Sequence, residues 1–117
     1  MDADILALLP LPPAVFHILI AIGDNDRHGY AIMQDVADRT DGRVRMSPGT
    51  LYGSIRRMLD DGLIEERFPS SPAGDDDERR RYYRVTKFGR AVAAAEADRL
   101  SALVRQARLS GLVPRRT

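Results

Sequence analysis

The stretch Ser47-Pro48-Gly49-Thr50-Leu51-Tyr52-Gly53-Ser54-Ile55-Arg56-Arg57-Met58-Leu59-Asp60-Asp61-Gly62 decides how the rest of the chain is read. Ser47 offers a side-chain oxygen to the free N–H groups of a helix start. Pro48 suits the first helical position, where its missing N–H would have had no partner. Gly62 supplies a stop signal. These punctuate a helix over residues 48–61. At about 100° per residue, Leu51, Ile55, Met58 and Leu59 fall on one side. Gly49, Thr50, Gly53, Arg56 and Arg57 fall on the other. Two outward glycines weaken a helix. Either tertiary packing excuses a poor helix, or something approaches the backbone closely beside the arginines.

Upstream, Leu11-Pro12-Pro13 opens a helix whose segment Ala14–Ile22 is apolar on nearly every side and therefore central to the core. His17 within it reads as a buried, hydrogen-bonded residue rather than a sensor. Gly23-Asp24-Asn25-Asp26 ends that helix, and His28, placed at the following turn, is expected to face solvent. A second helix covers about 30–40, with Ile32, Met33, Val36 and Ala37 as its buried stripe, and Thr40-Asp41-Gly42 closes it. Two helices joined by so short a turn are the arrangement of a helix-turn-helix.

Downstream, Leu63–Phe68 reads as one strand and Arg80–Val85 as a second. Ile64 and Phe68 share a face, as do Arg81, Tyr83 and Val85. Glu66 breaks the alternation and leaves the register open. The connection Pro69–Arg79 is rich in turn residues. A basic hairpin in this place is a wing, and so small a pair must lean on the helices. Thr86 then caps a helix over 87–109, roughly 34 Å long. Phe88, Val92 and Ala95 form a stripe near the core. Leu100, Leu103, Val104 and Ala107 form another that the core is too small to reach, and that is expected to pack on a second copy. The fold class is therefore mostly α with a small β-hairpin: a winged helix-turn-helix over 11–86 and a long dimerisation helix over 87–110. Residues 1–10 are an N-terminal segment in which 4–9 form a short helix covered by a partner's long helix, or else a frayed end; 111–117 are a tail.

Composition narrows the function. The 117 residues are 44% hydrophobic and 30% charged, normal for a globular chain of one domain. The longest apolar stretch, Ala14–Ile22, is too short to span a bilayer, and the N-terminus lacks the pattern of a secretory signal, so a cytoplasmic protein without membrane partners is expected. Cys is absent and His occurs twice, so neither a thiolate nucleophile nor a structural zinc site is expected, and no cofactor or other metal. Asp75-Asp76-Asp77-Glu78 lacks the spacing of a cation loop and reads as solvation of the wing tip. No phosphate loop, carboxylate pair or supported Ser–His pairing points to an enzyme, and Ser47 is a cap rather than a nucleophile.

The formal net charge of +1 hides a segregation. Residues 1–41 hold seven Asp against two Arg, a net of −5. Residues 42–59 hold Arg43, Arg45, Arg56 and Arg57 without an acid. Residues 79–90 hold Arg79, Arg80, Arg81, Arg84, Lys87 and Arg90, again without one. Brought together by the fold, the two basic blocks make one face for a polyanion; kept apart, they are two solvated surfaces. In a helix-turn-helix the second helix enters the major groove, which is about 12 Å wide, and its N-terminal residues meet the base edges. Gly49 and Gly53 let it sit deep, Thr50 can bond a base or phosphate, and Arg56 and Arg57 can bind phosphate or guanine. Tyr82 points away from Tyr83 and is the better phosphate contact of the two. Tyr52 is either such a contact or packing.

The run His28-Gly29-Tyr30, the block Ser47-Pro48-Gly49-Thr50-Leu51-Tyr52, the segment Asp61-Gly62-Leu63-Ile64 and Arg79-Arg80-Arg81-Tyr82-Tyr83-Arg84-Val85-Thr86 occur in order. Together they resemble the PadR family of transcriptional regulators, over roughly residues 11–107, in its smaller form with a single long C-terminal helix. The resemblance implies a homodimer that binds a palindromic operator in double-stranded DNA and usually represses. It places the reader helix at Ser47–Tyr52, the wing at the hairpin ending in Arg79–Tyr83, and a phosphate contact at Tyr30; together with the charge and helix patterns above, the expected DNA contacts are Tyr30, Arg43, Arg45, Ser47, Gly49, Thr50, Tyr52, Gly53, Arg56, Arg57, Arg79, Arg80, Arg81 and Tyr82. It also implies response to small, often aromatic effectors. Leu6, Leu9, Phe16, Ile20, Leu100, Leu103 and Val104 are the candidate walls of such a site, and equally of a plain dimer interface. Some drug-binding members stack ligands between tryptophans, which this chain lacks. The competing reading is a winged-helix protein-interaction module that touches no nucleic acid, favoured by the acidic N-terminal third and the acidic wing tip.

Overall fold

The computed structural model describes residues 2–67 and 81–113. Along them run α1 (Ala3–Leu8), α2 (Pro13–Ile22), β1 (Arg27–His28), α3 (Gly29–Arg39), α4 (Pro48–Asp60), β2 (Ile64–Arg67), β3 (Tyr82–Val85) and α5 (Lys87–Leu109). Helices α3, α4 and α5 each start where a side chain takes up a free N–H, whereas α2 starts at Pro12-Pro13 without a side-chain cap. The Ser47 Oγ accepts from the Thr50 N–H at 3.1 Å and the Thr86 Oγ1 from the Gly89 N–H at 2.9 Å. His28 does the same for α3, its Nδ1 accepting from the Ala31 N–H at 3.3 Å. His28 is therefore a half-buried cap, with its ring edge-on to Tyr82 at 5.6 Å, and not the solvent-facing turn residue expected from sequence.

α2 is apolar on nearly every side because most of it is covered by α3, α4, β3 and α5. Its Val15, Ile18, Leu19, Ala21 and Ile22 are buried against Ile32 and Val36 of α3, Leu51, Ile55 and Met58 of α4, Leu63, Ile64, Tyr83 and Val85 of the wing, and Val92 of α5. His17, with Phe16 and Ile20, lies toward the side of α2 that is only partly covered, so it is half-buried rather than buried. The turn between α3 and α4 passes through Asp41 and Gly42, both at positive φ.

The sheet is antiparallel in the order β1-β3-β2. The hairpin has Ile64 opposite Val85, Glu65 opposite Arg84, Glu66 opposite Tyr83 and Arg67 opposite Tyr82. Its inner face carries Ile64, Tyr83 and Val85, all buried. Strand β1 is absent from the sequence reading, because two residues cannot display an alternation. The remainder of the wing, including Phe68, the acidic run Asp75–Glu78, Arg79 and Arg80, lies outside the described residues.

α5 changes character along its length. Gly89, Val92, Ala95 and Glu96 are buried in its first half, and no residue beyond Arg99 is. At its root, the Thr86 hydroxyl donates to the Gly62 and Leu63 carbonyls at 2.6 and 3.1 Å. A side chain at Gly89 would run into the Leu63 carbonyl, so helix and strand meet there in backbone contact. Helix α1 leans on α5 of its own chain. Glu96, only 2% exposed, fixes this junction. It accepts from the Arg99 Nε and Nη2 at 2.6 and 3.0 Å, and from the Leu11 N–H at 3.1 Å. Its carboxyl is held below the ordinary carboxylate range by the hydrogen bonds from Arg99, against the upward push of burial.

A candidate nucleic-acid interface

The outward side of α4 is as the sequence pattern describes it: Gly49, Thr50, Tyr52, Gly53, Arg56 and Arg57 are exposed while Leu51, Ile55 and Met58 are buried. No atom comes within 4 Å of where a Cβ on Gly53 would lie, and only the Ser47 Oγ, at 3.9 Å, approaches the same place on Gly49. The fold itself therefore makes no steric demand for glycine at either position. Ser47 is committed to the cap. Its hydroxyl also donates to the Thr50 Oγ1 at 3.1 Å, so the Thr50 hydroxyl hydrogen stays available to an outside acceptor.

Arg43 and Arg45, in the turn before α4, are exposed. The Arg45 guanidinium folds back over Gly42, where a Cβ would lie 2.9 Å from its Nη2. Among the described residues, Arg43, Arg45 and Arg56 have no acidic partner, and Arg57 has a long contact to Asp61 at 3.8 Å. The wing differs. Arg67 pairs with Asp26 at 2.9 Å, Arg81 with Glu66 at 3.4 Å and Arg84 with Glu65 at 3.2 Å. Among the described residues, the α3–α4 turn and α4 thus carry unpaired positive charge where the wing strands carry paired charge.

Tyr52 extends from α4 across to the start of α3. A Cβ at Gly29 would sit 2.5 Å from its hydroxyl, so glycine is the residue that lets the phenol rest there. Next to Gly29, Tyr30 is 66% exposed. Sequence reading placed Tyr30 and Tyr52 on one surface but missed that Gly29 joins them, since a contact across more than twenty residues leaves no local signal. Tyr82 is half-buried against His28, and Tyr83 is core. The Tyr83 hydroxyl is pushed up by burial first, then by the charge of Glu66 and by Tyr52. Because β1 pairs with β3 and leads into Gly29, the Tyr52 phenol over Gly29 lies near the start of β3, where Arg81 pairs with Glu66.

The second candidate surface is apolar. Leu6, Ile20, Leu100, Leu103 and Val104 are exposed, whereas Leu9 and Phe16 are half-buried against the core. A cleft of about 440 Å³ between α1 and α5 is lined by Leu6, Leu9, Pro10, Ala95, Asp98 and Arg99. It brings Leu6 and Leu9 together but does not reach Phe16, Ile20, Leu100, Leu103 or Val104. Among the described residues no helix is long and apolar enough to cross a membrane, and no cluster could hold a metal ion.

Residues 18–95 match the family model described as the transcriptional regulator PadR-like family. The chain is 36% identical to the transcriptional regulator Rv3488 of Mycobacterium tuberculosis, across 77% of this chain and 78% of that one. It is also 36% identical to an uncharacterized protein of Lysinibacillus sphaericus, across 63% of this chain and 65% of that one, just under two thirds of the relative's length. Among solved structures it superimposes on a transcriptional regulator from Clostridium thermocellum with a TM-score of 0.70 at 20% identity, covering 97% of this chain and 99% of that one. A PadR family transcription regulator from Clostridium difficile gives 0.69 at 20% identity, covering 84% and 97%.

Proposed function

The chain belongs to the PadR-like family of transcriptional regulators, and from that premise we propose that it acts as a homodimer that binds duplex DNA sequence-specifically and represses transcription. The observation that carries this reading is the open notch at Gly53: a glycine the fold does not need, on an exposed helix face with Thr50 and Arg56. Such a notch lets α4 settle close to the floor of a major groove, with Thr50 at the bases and Arg43, Arg45 and Arg56 at phosphates. A dimer joined through the apolar side of α5 and α1 would set two such helices about one turn of DNA apart, roughly 34–36 Å, and so favour a palindromic site. An apolar or aromatic effector that enters beside Leu6 and Leu9 would act on that joint. The wing arginines Arg79, Arg80 and Arg81 and the tyrosines Tyr30, Tyr52 and Tyr82 complete the proposed contact set.

The test is Gly53→Ala. Alanine should stabilise the helix by about 1 kcal/mol, visible as a raised Tm. It should nevertheless weaken binding to a duplex selected from a random pool by the wild-type chain, by about tenfold or more, since one methyl group at close approach displaces the whole helix. Unchanged affinity in a stabilised variant would remove α4 from the interface. The pairing of each described wing arginine with an acid favours the second reading, a protein-interaction module. A wild-type chain that captures no duplex from the pool, even at low salt, would establish that reading instead.

A further inference from the structure

Glu66 stands out of pattern. The register sets it opposite Tyr83, on the face of the hairpin where Ile64, Tyr83 and Val85 are buried. A carboxylate there adds nothing to the core, and its ion pair among the described residues is with Arg81, at the start of β3. That pair is long, 3.4 Å between Glu66 Oε1 and Arg81 Nη1, and its side chains are 28% and 57% exposed. Pairs of this kind contribute little to stability. A DNA phosphate offers Arg81 the same charge with oxygens better placed for a guanidinium.

Resting on the DNA-binding reading above, we propose that Glu66 is a resident competitor for DNA phosphate: it occupies Arg81 in the free protein and must be displaced before the wing root grips the backbone. Arg81 leads directly into β3, whose Tyr82 pairs with His28, and the next residue, Gly29, lies under the phenol of Tyr52, which stands on the exposed face of α4 next to Gly53. A duplex seated against α4 therefore brings its backbone to the start of β3. There the Glu66 carboxylate is the anion to be exchanged, and once displaced it faces a like charge. Sequence-independent binding, which rests on phosphate contacts, is the mode such a competitor weakens. The arginines of the α3–α4 turn, which carry no acidic partner among the described residues, make their contacts without any exchange.

The experiment uses the full chain and a labelled mixed-sequence duplex about three helical turns long, titrated across a range of salt concentrations. Glu66→Gln keeps the shape of the side chain and removes its charge. It should raise affinity about two- to fivefold, the worth of an exposed ion pair that no longer has to be broken. In an Arg81→Ala background the same change should have no effect. Glu65→Gln, which removes an equal charge from the opposite face of the strand, should have the smaller effect. An unchanged or lower affinity for Glu66→Gln overturns the proposal. So does a gain that persists without Arg81 or that Glu65→Gln matches, since either would mean diffuse charge. If the wild-type chain binds and Glu66→Gln behaves like it, only the role of Glu66 fails. If the wild-type chain binds no duplex, the DNA reading fails with it.

Discussion

Helix α4 leaves one side uncovered, while the distal half of α5 is exposed nearly all round, and the two are built from different chemistries. On α4 most of the uncovered residues are small or cationic, Gly49, Thr50, Gly53, Arg56 and Arg57, beside the exposed Tyr52. On the distal half of α5 an apolar stripe of Leu100, Leu103 and Val104, the last two 48% and 45% exposed, runs among polar residues. Scattered apolar residues on a surface are ordinary, but a stripe of them on a helix that has outrun its core marks a place for another apolar surface. Glycine beside arginine, with no neighbour inside the fold, is on the proposed reading the place for a close-lying anion. Exposure alone does not distinguish these cases; the residue types do.

The sharpest way to break the contrast is to put a charge on the apolar side. Val104→Glu should leave the helical content of the folded chain intact by circular dichroism, because Val104 is exposed within its own chain. It should yield monomers in sedimentation equilibrium, with affinity for a two-half-site duplex reduced about a hundredfold or more as the linked second contact is lost. Dimers that persist in Val104→Glu would show that this side is not the joint.

Glu96 tests how the apolar side is held in place. Removing its carboxylate in Glu96→Ala leaves the Leu11 N–H without its acceptor and frees α1 from α5. The expected loss is about 2 kcal/mol in urea unfolding. The pH dependence has a definite sign. The folded carboxyl is held below its ordinary value by Arg99. Its contribution is therefore present above the unfolded value, about 4.3, and disappears as pH falls through the lower folded value. The stability difference between wild type and Glu96→Gln should shrink on acidification and be constant at neutral pH. A difference that stays unchanged in acid would mean the carboxylate is not the group that matters.

The smallest effect belongs to one arginine on the α4 side. Arg56→Ala should leave stability within about 0.5 kcal/mol of wild type, as for other exposed sites. It should reduce affinity for every duplex by a similar factor and flatten the salt dependence by about 0.9. A change in sequence preference instead would move Arg56 from the backbone to a base edge.

Much of this architecture was legible in local sequence because its signals are local. Ser47-Pro48 and Thr86 announce helix starts through chemistry confined to one turn, and the buried stripe of α4 follows from a fixed period. The surplus length of α5 over its core was readable for the same reason: rise per residue is constant. What stayed hidden depends on distant partners. Glu96 looks like one more polar residue until Leu11, eighty-five positions away, is beside it. Gly29 looks like a helix-start glycine until Tyr52 lies over it. Glu66 obscured the strand register because its face is set by the pairing of β2 with β3, opposite Tyr83, and not by its own polarity.

The contact between Gly89 and the Leu63 carbonyl has a mechanical meaning. With the Thr86 hydroxyl fastened to two successive carbonyls beside it, the joint between the long helix and the strand has neither a cushion of side chains nor room to slip. Were the distal end of that helix to tilt by a few degrees, the hairpin would swing with it as the short arm of a crank. A disturbance among leucines far from any nucleic acid would then arrive at the arginines as a change of aim.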